Sequence, residues 1–146
     1  MDTSISFWNL GDVEKPDGTP VVDVANCINS LHFLLMDGKL DLIVEQRSAD
    51  VPIGVPHDIA TWAIFHRLIA KEVNLPPGDF IHNLGDTHIY NDQIPAMKEL
   101  LKRQPLPRPT VTISNSPSGT IYDHKVADFQ LHDYNPHPPM KIPVAL

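Results

Sequence analysis

The chain has 146 residues, the length of one domain, with 42% hydrophobic and 20% charged residues; that balance predicts a folded chain and excludes wholesale disorder. Eleven Lys and Arg against eighteen Asp and Glu give a formal charge of -7, so neither nucleic acid nor an anionic membrane is an expected partner. A lone cysteine, Cys27, excludes an internal disulfide framework and a Cys-based zinc site and fits a reducing cytoplasm.

Met1 to Leu10 carry neither the basic nor the apolar region of a secretory leader, and no apolar run has the length of a membrane span, so a cytoplasmic location is expected. Ser4 to Leu10 begins by alternating polar and apolar residues and predicts a strand closed by Gly11. Asp12 to Pro20, with its Pro16-Asp17-Gly18 turn signal, predicts a surface loop. Ser30 to Met36 and Lys39 to Gln46 are β-prone runs joined by Asp37-Gly38, the pair favoured in a two-residue type I′ turn, and predict a hairpin.

Ile59 to Val73 contains no Gly or Pro, and Asp58 stands where an N-cap belongs. Its apolar residues cover most of the helical circumference, which predicts a core helix wrapped by other elements. Leu75 to Gly78 ends it, and Asp79 to Leu84 is expected as a buried strand. Asp92 to Arg103 predicts a second helix, with Pro95 in its first turn and basic residues at its end. Thr110 to Ser114 reads as a strand, and the proline-rich tail from Asn135 as extended chain. The expected architecture is a single α+β domain over residues 1–146: a mixed sheet containing the hairpin, packed against the long buried helix, with the second helix outside.

Generic catalytic motifs are absent, and the eight histidines are scattered singly, so no metal site is expected. Taken alone, Cys27 reads as a small buried hydrophobe. Several longer motifs change that reading: Gln46-Arg47-Ser48-Ala49-Asp50, Gly54-Val55-Pro56, Pro77 to His82, Gly85 to Tyr90, Tyr134 to Pro138 and the ending Pro143 to Leu146. Together, and in this order, they resemble the carboxy-terminal portion of the thymidylate synthase family, which includes the pyrimidine nucleotide hydroxymethylases. The spacing of twenty residues from Cys27 to Arg47 matches the family's nucleophile and the arginine of its Gln-Arg-Ser motif.

The resemblance implies that Cys27 adds as a thiolate to C6 of a pyrimidine nucleoside monophosphate, so that C5 can attack the one-carbon unit of 5,10-methylenetetrahydrofolate. It implies Arg47 and Ser48 at the nucleotide phosphate, with the arginine's positive charge also favouring the thiolate. His88 and Tyr90 fall at the sugar hydroxyl, Asp50 at the folate and its one-carbon chemistry, and Val144, Ala145 and Leu146 on the tail that closes over the folate. A homodimer is implied as well.

Two departures from the family pattern sharpen the expectation. Thymidylate synthases carry asparagine where this chain has Asp58, and the family's cytidylate hydroxymethylases resemble it in carrying aspartate. An ionised aspartate only accepts, so it opposes uracil O4 but suits the exocyclic amine of cytosine, a difference of about 1–3 kcal/mol. Helix capping does not explain the exchange, since asparagine caps equally well. Cys27 is flanked by Asn26 and Ile28 where the family has proline and histidine, which changes the surroundings of the thiol.

The resemblance also begins where the family's catalytic domain is nearly half complete. Its phosphate-loop arginine, catalytic glutamate, folate-contacting tryptophans and the arginines donated across the dimer have no counterpart here. The expected activity is therefore (deoxy)cytidylate 5-hydroxymethylation, with thymidylate synthesis as one alternative. The other is a non-catalytic nucleotide-binding paralogue or half of a split enzyme. A fold incomplete at the amino terminus exposes a sheet edge and apolar surface, so association with a partner or a second copy is expected.

Overall fold

Asp37 and Gly38 adopt φ of 49° and 76°, the left-handed pair that a two-residue hairpin turn requires. On either side of that turn the chain forms β2 (Ile28–Met36) and β3 (Lys39–Asp50). In the computed structural model, which describes residues 2–9, 11, 13–15, 17–22, 25–114 and 120–144, this hairpin is the centre of a four-stranded mixed sheet. β1 (Asp2–Ser6) pairs antiparallel with β2, and β4 (Pro77–His88) pairs parallel with β3. A parallel pair needs a crossover, and α1 (Gly54–Glu72) supplies it.

Leu31, Leu42 and Val44 are fully buried between the sheet and α1, beside Phe33, Leu40 and Ala70. Trp62 and Phe65 of α1 meet edge to face at 5.9 Å and reach Phe7 and Phe33 respectively. The buried His66 hydrogen-bonds the Leu40 carbonyl, fixing α1 to the start of β3. Beyond β4 lie α2 (Ile94–Leu100) and a separate two-stranded sheet of β5 (Thr110–Ile113) and β6 (Phe129–His132).

The architecture expected from the sequence is present, with corrections in its parts. The first strand is Asp2–Ser6 rather than Ser4 to Leu10. Helix α1 starts at Gly54, because Pro56 lies within the first turn, where a missing N–H costs little. The helix is not wrapped: Ile59, Ala60 and Thr61 are exposed, and its second apolar side, with Ala63 and Ile64, lines a cleft shared with Pro109, Val111, Leu131 and Tyr134.

Strand β4 is longer than expected and half exposed, for it is the sheet's edge among the described residues and only alternate residues such as Phe80 and His82 face α1. The second helix spans Ile94–Leu100, with Gln93 rather than Asp92 at its cap and turns continuing to Arg103. β6 and two 3-10 turns, Ile121–Asp123 and Val126–Asp128, were not expected from periodicity, being too short to show one.

Candidate functional site

The carboxyl ends of β3 and β4 carry Arg47, Ser48, Asp50, His88 and Tyr90, as parallel strands with a crossover helix place their loops together at that end. The hairpin register explains how Cys27 reaches Arg47. Pairing runs unbroken from Met36 with Lys39 to Ser30 with Glu45; a bulge at Asn29 then shifts it by one residue, so Ile28 faces Gln46. The Arg47 amide consequently donates to the Cys27 carbonyl at 2.8 Å.

The Arg47 side chain holds the same segment from above: Nε donates to the Asn26 carbonyl at 3.0 Å and Nη2 to the Ala25 carbonyl at 2.8 Å. Two of five guanidinium protons are thus committed to backbone. Asn26, which replaces the family's proline, donates from Nδ2 to the Phe7 carbonyl at 3.3 Å and ties the segment to the end of β1. Cys27 itself is exposed, unlike the buried hydrophobe that its residue type suggests. Ser48 is half-buried, and its hydroxyl is unbonded among the described residues.

Close behind Arg47 lies a polar cluster organised by Gln46, which is 4% exposed. Gln46 Nε2 donates to the Ser48 carbonyl at 2.8 Å and to Asp58 Oδ2 at 3.0 Å. With both amide protons directed to acceptors, Oε1 is left to accept from His82 Nε2 at 2.8 Å, which places a proton on that ring nitrogen. His82 Nδ1 is buried without a partner among the described residues. Burial lowers the His82 pKa, with the Asp58 charge acting in the opposite direction, so the ring is neutral at pH 7.

Asp58 therefore does not cap α1. The helix begins four residues earlier with no side-chain cap at Ile53, and the carboxylate turns to Gln46 instead.

His88 and Tyr90 stand at and just past the end of β4, their rings edge to face at 5.1 Å. His88 Nδ1 donates to the Asp86 carbonyl at 3.1 Å, which leaves Nε2 for a ligand. Asp50, paired in register with His88, is half-buried, and its Oδ1 is buried with no hydrogen-bond partner among the described residues. Its Oδ2 lies 3.4 Å from Nε2 of Gln93. Val144 is exposed, while Ala145 and Leu146 lie outside the described residues.

Gly85 completes the frame. A Cβ at this position would stand 2.7 Å from the Arg47 carbonyl oxygen, so the close approach of β4 to the Arg47 backbone depends on glycine.

A hairpin bulge that sets a cysteine against an arginine, with the Gln46-Arg47-Ser48 and Gly85 to Tyr90 motifs side by side, joins into one site what the sequence holds apart. The family model for thymidylate synthase matches residues 2–146. The chain belongs to the thymidylate synthase family. Thymidylate synthases from Listeria monocytogenes serovar 1/2a and Listeria innocua serovar 6a are each 42% identical to it over 142 residues. A third, from Listeria monocytogenes serotype 4a, has the same identity. These matches cover 97% of this chain but 43% of each of those relatives, so the chain spans less than half their length.

Sequence reasoning gave no role to Gln46 or His82, although each stands in one of the family motifs. Gln93 was missed altogether. Its single signal is position, in the first turn of the predicted helix.

Proposed function

We propose that this chain provides the Cys27 side of a folate-dependent transferase acting at C5 of a pyrimidine nucleoside monophosphate, with cytidylate hydroxymethylation as its reaction. The observation that carries the substrate choice is the Gln46–Asp58 contact. Gln46 donates to one carboxylate oxygen of Asp58, and the other oxygen is left as an acceptor for a base. The exocyclic amine of cytosine satisfies it, whereas uracil O4 sets acceptor against acceptor.

The thiolate of Cys27 adds to C6, which makes C5 nucleophilic. Arg47 has three guanidinium protons left for a phosphate dianion, and the free Ser48 hydroxyl adds a donor beside them. His88 and Tyr90 take the sugar hydroxyl.

Asp50 fits a folate. Its orphaned Oδ1 is a buried acceptor suited to an N–H donor, which a pterin ring provides. 5,10-Methylenetetrahydrofolate supplies the one-carbon unit when bound. Val144, Ala145 and Leu146 are assigned to closure over it, and the full assembly is a homodimer. Neither nucleic acid nor membrane is a proposed partner: the net charge is -7, and among the described residues no helix is long and apolar enough to cross a membrane.

Thymidylate synthesis is the second reading, favoured by the name of the relatives at 42% identity. Tritium release from C5-labelled dCMP and dUMP, with methylenetetrahydrofolate and a Cys27→Ala control, separates the two. Release from dCMP that disappears in the control is expected, and preference for dUMP overturns the cytosine assignment. Binding of either nucleotide without release identifies a non-catalytic paralogue or one half of a split enzyme.

A further inference from the structure

Gln93 is 0% exposed, and its side chain uses both amide protons and its oxygen. Nε2 donates to the Pro143 carbonyl at 3.2 Å and to Asp50 Oδ2 at 3.4 Å, while Oε1 accepts from the Tyr90 amide at 2.9 Å. The three partners belong to three separate parts of the chain: the end of β3, the loop after β4 and the carboxy-terminal tail.

A buried amide is costly unless bonded, so a fully enclosed glutamine is stable here only while all three segments are in place. Its backbone adds a fourth tie, since the Gln93 amide donates to the Tyr90 carbonyl at 3.0 Å. Tail residues around Pro143 form no regular secondary structure, and prolines 136, 138, 139 and 143 have no amide protons of their own to donate. The tail is therefore attached through side chains: His137 Nε2 donates to the Gln104 carbonyl at 2.8 Å, and two tail carbonyls accept from side chains elsewhere. Arg103 reaches Pro138 from α2's end, and Gln93 reaches Pro143.

We propose that Gln93 is a positioning residue that latches the carboxy-terminal tail to Asp50 and to the Tyr90 loop, so that tail docking and the setting of the Asp50 carboxylate are one event. The folate consequence rests on the assignment of Asp50 made above; the latch itself does not. A tail held at Pro143 keeps the Gln93 amide turned so that its second proton points to Asp50 Oδ2. This leaves Oδ1 as the free acceptor. Release of the tail removes one of the two acceptors that fix the amide, and Asp50 loses its orientation.

Gln93→Glu keeps the shape and the acceptor for the Tyr90 amide but loses both donated bonds, whereas Gln93→Met loses all three. Trypsin cleavage after Lys141 reads the tail directly. In Gln93→Glu it is expected to run about tenfold faster than in the unaltered chain, with cleavage after Arg67 and Lys98 unchanged. Tetrahydrofolate affinity, measured by calorimetry with nucleotide present, is expected to fall by a similar factor in both variants. Nucleotide affinity holds in Gln93→Glu and falls only in Gln93→Met, a split that general loss of structure does not produce.

Unchanged cleavage after Lys141 in a folded Gln93→Glu overturns the latch. Faster cleavage with unchanged folate affinity overturns the coupling to Asp50. If the unaltered chain binds no tetrahydrofolate, the folate assignment fails while the proteolysis still decides the latch. One comparison needs no variant: the intact chain is expected to be cut after Lys141 at least about tenfold more slowly than a free peptide of residues 135–146, and equal rates overturn the proposal.

Discussion

Two enclosed glutamines each hold an aspartate, one through partners on the packed core and the other beside an irregular tail. Gln46 lies within β3, and its partners Asp58 and His82 come from α1 and β4, elements packed on one core. Gln93 lies at the start of α2, and its Nε2 reaches Asp50 at 3.4 Å and a carbonyl of an irregular tail. The first cluster is set when the sheet and α1 pack; the second requires a chain end to arrive. The Asp58 carboxylate is thus held by the packed core, and the Asp50 carboxylate by a residue that also holds the tail.

Gln46→Leu tests the rigid cluster most severely. It leaves Asp58, the Ser48 carbonyl and His82 Nε2 without their partner, and about 2–3 kcal/mol of stability is expected to be lost in urea denaturation. Gly85→Ala follows at about 2 kcal/mol, because the new methyl collides with the Arg47 backbone rather than with a side chain able to move. Nucleotide binding is expected to weaken in the same variant.

Gln93→Leu is expected to cost less, about 1 kcal/mol, since the tail can leave and expose its carbonyl to water. An equal loss in Gln46→Leu and Gln93→Leu would erase the contrast between the two clusters.

A smaller effect follows pH. The folded-state pKa of His82 lies below its ordinary value of 6.5 because of burial, so below that pH the unfolded chain binds more protons than the folded one. The stabilisation is complete above about pH 6.5 and declines as pH falls through and beneath it. Urea midpoints are expected to drop between pH 7.5 and 5.5, and to drop less in His82→Gln.

Asp58→Asn is expected to change stability least, by under about 1 kcal/mol, because an amide oxygen still accepts from Gln46. Its effect is on selection: the ratio of dCMP to dUMP affinity should move about tenfold or more towards dUMP in calorimetry.

Much of the fold was legible because its signals are local. Asp37-Gly38 specified a turn by backbone preference alone, and the apolar run of α1 specified a helix regardless of neighbours. Its start was misread because Gly54 and Pro56 are breakers inside a helix but are tolerated in its first turn. The exposed side of α1 was misread because apolar periodicity reports what can be buried, not what is near enough to bury it. In the site, the cysteine and arginine were found through a motif spacing, yet the bulge at Asn29 that realises it left no trace in composition. Asp58 looked like a cap because local sequence cannot reveal an acceptor's partner on another strand.

By itself, the sequence determined the hairpin, the presence of the long helix, the absence of a disulfide framework and the family, since each is written in contiguous residues or in motifs of fixed order. Tertiary structure alone decided that Gln46 turns to Asp58, that His82 donates through Nε2, and that Gln93 joins Asp50, Tyr90 and Pro143. These are hydrogen bonds between residues up to 50 positions apart. A buried polar group takes the partner that packing brings within about 3 Å, and only the assembled core selects which one that is.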